Sequence, residues 1–330
     1  MKTPELGPWL QRFFREHLLT HRNVSPATIA AYRDTFRLLL RYLKQTRANR
    51  CFSLPLDVLT PNVIVRFLEH LERQRGNCIR TRNARLAAIR SFVRYLSDWL
   101  GPELPTTVAR IPGIPFKRHV QRLIGFLTPQ EVEAILAATD GTWTGQRDYL
   151  LFLLLFNTGA RISEILALRV MDVNVEGRQI ELLGKGRKHR RVPLWPQTQR
   201  RLRQWLKHNR WPPEAPLLPN RFGQRLTRAG AAYQLQQLVE RASAQLPSLT
   251  KRHISPHSFR HGTAMALLEA NVPAEVIALY LGHESPQTMH LYVEASLAMK
   301  KQALAKVHPP RAAGFRFRPT DDDLRFLDNL

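Results

Sequence analysis

The sequence predicts a mainly α protein of two domains: a four-helix N-terminal domain, then a mixed, mostly helical domain with a small antiparallel sheet. Three observations predict it. The chain has 330 residues, more than one ordinary core needs. Apolar residues recur at three- and four-residue steps over most of its length, the period of a helix with one buried face. One interlude breaks that rhythm, where two short β-like runs flank Gly184-Lys185-Gly186.

Ser25-Pro26 opens a helix that carries Ile29, Tyr32, Phe36, Leu39, Leu40 and Leu43 on one stripe. Thr60-Pro61 opens the next, with Val63, Val65, Phe67, Leu68 and Leu71 behind it. Another follows Gly76-Asn77 and carries Leu86, Ile89, Phe92, Val93, Leu96 and Trp99, with Arg80, Arg82, Arg85, Arg90 and Arg94 along the same segment. A four-helix bundle with a basic side accommodates residues 1–109. Pro112, Gly113 and Pro115 then forbid a continuous helix, and Arg110, Lys117, Arg118 and His119 make the stretch basic. An extended interdomain linker over 110–123 is the expectation.

The second domain is placed at 124–308. Thr128-Pro129 opens its first helix, with Thr128 as cap, Pro129 in the first turn and Glu131 closing a capping box. Strands are expected over 178–183 and 189–194, and helices over 197–208, 228–245, 257–270, 273–281 and from 285 onward. Residues 309–330 form a tail in which 311–330 balance four Arg against four Asp and mix in Phe315, Phe317, Leu324, Phe326 and Leu327. That composition suits docking on protein, in trans, better than gripping a polyanion.

Charge narrows the function. Fifty Lys+Arg against 26 Asp+Glu leave +24, an excess that points to a polyanionic partner, nucleic acid first. Apolar residues at 44% and charged residues at 23% exclude wholesale disorder. The opening MKTPELGPWL has neither signal-peptide nor myristoylation character, and the apolar run Leu150–Phe156 is too short to span a bilayer. Two cysteines, Cys51 and Cys78, make neither a disulfide framework nor a four-thiolate zinc site. A reduced, cytoplasmic, nucleoid-associated protein without a membrane partner is expected.

Several polar residues stand where apolar periodicity prefers something else. Arg161 follows LLFLLLFNTGA and begins ISEILAL, with Glu164 three residues on; alone, that is an ordinary helix-surface pair. Lys185 sits between glycines at a hairpin tip, and no phosphate-cradling Gly-x4-Gly-Lys-Ser/Thr occurs. His257, Arg260 and His261 follow the Ser255-Pro256 cap. The two histidines at i and i+4, with His283, have the donor types for zinc, but no His-Glu-x-x-His pattern is present. Tyr292 lies nine residues beyond His283, while Tyr280, within VIALYL, reads as core packing. Together these residues form a kit for phosphodiester chemistry. Guanidiniums clamp nonbridging oxygens, a lysine protonates a leaving oxygen, histidines exchange protons, and a tyrosine stores the bond as a phosphotyrosine without metal, ATP or any cofactor.

The segments Asn157-Thr-Gly-Ala-Arg161-Ile-Ser-Glu164, Gly184-Lys185-Gly186, His257-Ser-Phe-Arg260-His261, Leu281-Gly-His283 and Tyr292 resemble, in order and spacing, the motifs of the tyrosine recombinases, the phage-integrase and Xer-type site-specific DNA recombinases. The resemblance is specific over 125–300 and architectural before that, where 1–109 is similar to the family's core-binding domain. It implies the tyrosine recombinase fold closing as a clamp on double-stranded DNA, with Arg161 and Arg260 as phosphate clamp and Lys185 as general acid. It further implies His257 as acid/base partner, His283 as a hydrogen-bond donor to the phosphate, Tyr292 as nucleophile and Glu164 bracing the site. Arg80, Arg82, Arg85, Lys117 and Arg118 would contact the DNA backbone. A homotetramer on synapsed sites, exchanging strands through a Holliday junction, is implied too.

The context MHLYVEA around Tyr292 departs from the more usual Thr-rich stretch and looks closer to transposon-borne integrases, so integration, excision or transposition of a mobile element is the expected setting. A separate arm-binding domain of the larger phage-integrase kind, with long arm-type DNA sites, is not the expectation here. Two alternatives stay open on sequence: a type IB topoisomerase relaxing DNA as a monomer, and a non-catalytic DNA-binding protein of the same fold.

Overall fold

The structure, a computed structural model, describes residues 4–46, 54–118, 125–184, 188–250, 252–282 and Arg325. The chain divides into two units, Met1–Gln121 and Arg122–Leu330. No helix among the described residues is long and apolar enough to cross a membrane.

In the first unit α1 (Leu6–Arg12) continues as a π-helix over Phe13–His21, followed by α2 (Pro26–Thr46), α3 (Pro61–Arg75) and α4 (Ile79–Leu100). Thr60 caps α3 by accepting from the Val63 amide at 3.3 Å, and Gly76 ends it in the left-handed conformation that a glycine takes without a Cβ penalty. The apolar stripes meet in a core centred on Phe13, Phe36 and Phe92, whose rings pack edge to face at 5.2–6.2 Å. Each such fully buried ring contributes about 1.5–3 kcal/mol.

The linker expectation needs correction over its described part. After α5 (Thr106–Ala109), a 3₁₀ turn at Ile111–Gly113 folds the chain back, and Ile111 and Ile114 are buried in this same core. Phe116 lies over the Arg90 guanidinium at 4.2 Å, and Asn83 exchanges hydrogen bonds with the Lys117 backbone. The prolines do forbid a long helix, but Ile111 and Ile114, each followed closely by a proline, suffice to anchor residues 110–118 on α4.

The second unit begins with α6 (Pro129–Ala137), whose capping box is present in full: Thr128 accepts from the Glu131 amide and Glu131 from the Thr128 amide. Glu131 also accepts from Ser248 at 2.8 Å and Arg252 at 2.5 Å. Next, α7 (Trp143–Thr158) buries every residue from Leu150 to Thr158, which explains why its sequence shows a continuous apolar run and no stripe. After the short α8 (Ile162–Ala167) come β1 (Val173–Asn174), β2 (Gln179–Leu183) and β3 (His189–Pro193), an antiparallel sheet in that order. Ile180 pairs with Val192 and Leu182 with Arg190, so these four side chains share the inward face of the sheet. Helices α9 (Pro196–Asn209), α10 (Arg228–Ser243), α11 (Pro256–Glu269) and α12 (Ala274–Leu281) complete the described unit. The segment expected to be helical from 285, and the 309–330 tail apart from Arg325, lie outside the described residues.

Candidate active site

The centre of the site is a corner between α7 and α8. Gly159 ends α7 with φ +57°, its amide donating to Leu155 O. A Cβ there would fall 2.2 Å from Leu281 Cδ2 and 3.3 Å from Thr263 Cγ2, so glycine is required for conformation and for space. Gly159→Ala is expected to cost about 1–3 kcal/mol through combined backbone strain and overpacking, read as a lowered melting temperature of the unit.

Beyond this corner Arg161 is the N-cap of α8, and Glu164 folds back onto it. Glu164 accepts from the Arg161 amide at 3.0 Å and from Arg161 Nη1 at 2.9 Å. The carboxylate is 4% exposed while the Arg161 side chain is 31% exposed, so the acid is sealed behind a guanidinium that faces outward. Arg190, on β3, donates its Nη2 to Glu164 Oε2 at 2.7 Å. Burial drives the Glu164 carboxyl upward, but the Arg190 hydrogen bond and charge, followed by the Arg161 bonds, outweigh it and hold the group below the ordinary glutamate range.

Arg260 arrives from α11, which is fastened to α7. Phe259 stacks on Phe152 at 5.4 Å, and the Thr263 hydroxyl donates to Phe156 O. Gly262 lets the helix pass close to Leu127, whose carbonyl oxygen would lie 2.6 Å from a Cβ. So held, Arg260 is 2% exposed, and its Nη1 donates to Gly159 O at 2.7 Å and Leu281 O at 2.9 Å. One guanidinium therefore bonds both the corner before Arg161 and the end of α12, where Gly282 turns left-handed at φ +67°. His257, one turn earlier on α11, is exposed, and its ring meets that of His261 edge to face at 4.5 Å.

The structure thus brings Arg161, Glu164 and Arg260 around one corner, with His257 on the helix that supplies Arg260. Lys185, His283 and Tyr292 lie outside the described residues. Tyr280 is occupied elsewhere: its hydroxyl donates to Asn157 O at 2.6 Å, and burial raises its phenol above the ordinary range. Among the described residues no group of three or more His, Cys, Asp or Glu side chains could hold a metal ion.

Of the cations expected to face DNA, Arg80, Lys117 and Arg118 are exposed, Lys117 pairing with Glu72 at 2.8 Å. Arg85 is half-buried, bonded to Thr35, and burial lowers its guanidinium from the ordinary range. Arg82 corrects the expectation. It is 5% exposed, lying 3.9 Å from Glu72 and bonded to Asn83, because it stands one and two turns before Leu86 and Ile89 on the buried stripe of α4. Arg190, which the sequence does not single out, also reaches this corner through its ion pair with Glu164.

Two family models match the chain: "Phage integrase family" over residues 125–298, and "Phage integrase, N-terminal SAM-like domain" over residues 10–98. A Sinorhizobium fredii protein assigned as an integrase/recombinase, y4rC, is 42% identical over 331 residues, covering 100% of this chain and 99% of the relative. The tyrosine recombinase XerC of Pelobacter propionicus is 32% identical over 307 residues, 90% of this chain and 94% of its own length. Among solved structures, the XerH site-specific recombinase bound to palindromic difH substrate superposes with a TM-score of 0.68 at 22% identity, covering 86% of this chain and 81% of that one, which shows a shared fold. With both family models matched and a relative this similar along its whole length, the chain belongs to the phage integrase family, the tyrosine recombinases of site-specific DNA recombination.

Proposed function

We propose that this protein cleaves and rejoins double-stranded DNA at a specific site through a 3′-phosphotyrosine intermediate, serving integration, excision or transposition of a mobile element. The Tyr292 hydroxyl attacks the scissile phosphorus, the bond to the 5′ oxygen breaks, and that oxygen leaves with a proton from Lys185. His257 handles the phenol proton, and His283 donates to the phosphate. Arg161 and Arg260 stabilise the charge of the pentacoordinate transition state, each at a scale of about 10²–10³-fold in rate. Because the phosphotyrosine retains the bond energy, rejoining needs neither ATP nor metal. Four protomers on two synapsed sites exchange strands in pairs through a Holliday junction.

The observation that carries this reading is the outward-facing Arg161 locked to a buried carboxylate, with Arg260 bonded two residues before it. A cation needed only for solubility has no use for such fixing, whereas a transition-state clamp loses rate with each degree of freedom it keeps.

The test is capture. The purified chain is incubated with duplex fragments spanning the DNA on either side of its gene, quenched in SDS, and the protein-bound DNA is sequenced. An SDS-resistant adduct at one recurrent position, formed equally in EDTA, is expected. Adducts scattered without sequence preference, together with relaxation of supercoiled plasmid, would mark a topoisomerase. Binding with no adduct would mark a non-catalytic protein.

A further inference from the structure

We infer that Arg190 is a positioning residue for strand cleavage, aligning Arg161 through Glu164 while lying against Gly184 and Gly282; the inference rests on the recombinase reading above. It follows from what one side chain touches. Its Nη2 bonds Glu164 Oε2 at 2.7 Å, and Glu164 in turn holds both the amide and the guanidinium of Arg161. Its Nη1 lies 3.3 Å from where a Cβ on Gly184 would stand. Its Cδ, Nη1 and Cζ lie 3.1–3.3 Å from where a Cβ on Gly282 would stand. Residues 164, 184 and 282 belong to three separate segments, and Arg190 touches all three. It reaches them from the inward face of β3, next to buried Val192, where a cation persists only if paired.

The Glu164 carboxylate needs this partner. It is buried and accepts three hydrogen bonds, two from Arg161 and one from Arg190. Among the described residues these two arginines are the charged groups that face it; α7, α10 and β2 pack against α8 and contribute no hydrogen bond or ion pair to it. Remove Arg190 and burial still opposes the charged form, while the largest counteracting interaction is gone. The carboxyl then takes up a proton at higher pH, and a protonated acid cannot accept from both the amide and the guanidinium of Arg161.

The experiment measures single-turnover cleavage of a nicked suicide duplex carrying the captured site, at saturating protein, across pH. Arg190→Met is expected to slow cleavage about 10²-fold, the scale of an ångström-level misplacement, with DNA affinity unchanged. Its acid limb is expected to move to higher pH, and Arg190→Lys is expected to restore part of the rate. In an Arg161→Ala background the Arg190→Met penalty should collapse, because a residue acting through Arg161 has nothing left to align. A full penalty retained in that background, or wild-type rate and pH profile in Arg190→Met, overturns the inference. If Arg190→Met fails to fold, Glu164→Gln and Arg190→Lys carry the same test, and a wild-type pH profile in both overturns it. No adduct from the unmodified chain would sink the recombinase reading first, so the two failures are distinguishable.

Discussion

Tyr292→Phe is expected to abolish the covalent protein–DNA adduct completely while leaving DNA binding intact. Phenylalanine removes one oxygen, the atom proposed to become bonded to phosphorus, so no partial activity of the same chemistry remains. Tyr280→Phe, twelve residues earlier, is the control that gives the result its meaning. Its hydroxyl is committed to Asn157 O at 2.6 Å, and burial holds its proton more tightly than usual, which is the opposite of what a nucleophile needs. Tyr280→Phe should therefore retain the adduct and lose about 0.5–1.5 kcal/mol of stability with its hydrogen bond. The reverse pattern, adduct lost in Tyr280→Phe and kept in Tyr292→Phe, would falsify the assignment of the nucleophile.

Much of the fold was legible because helices announce their ends and faces locally. Thr60-Pro61 and Thr128-Pro129 carry cap and first-turn signals within four residues, and both caps are made as read. The corner motif was legible for a similar reason, since glycine followed by a cation at a helix start is visible in one line of sequence. What stayed hidden depends on register. In the basic run Arg187-Lys188-His189-Arg190-Arg191 composition does not say which cation turns inward. Pairing of Leu182 with Arg190 and Ile180 with Val192 decides it, and the signal was present as alternation: Arg190, Val192 and Leu194 are two apart. Arg82 is hidden in the same way in a row of arginines, although four residues before Leu86 and seven before Ile89 places it on the buried stripe. The two-residue β1 is too short for periodicity to register at all.

Arg260→Ala is expected to reduce strand cleavage by about 10²–10³-fold, the scale for removing one preorganised donor from a transition state. Here the loss has two sources, and the structure says how to separate them. The same Nη1 that bonds Gly159 O and Leu281 O ties the α7–α8 corner to the end of α12, so truncation leaves two buried carbonyls without this donor. That costs about 1–3 kcal/mol per acceptor left unsatisfied, a fall in melting temperature that any role for Arg260 would produce. Arg260→Lys keeps the charge but presents a single ammonium where the guanidinium offers a planar fork. One ammonium on a shorter reach cannot hold both carbonyls and also face a phosphate. Melting temperature should therefore recover substantially in Arg260→Lys while the cleavage rate stays low. Recovery of both together would mean that Arg260 serves the corner alone, and the second arm of the phosphate clamp would have to be sought in another residue.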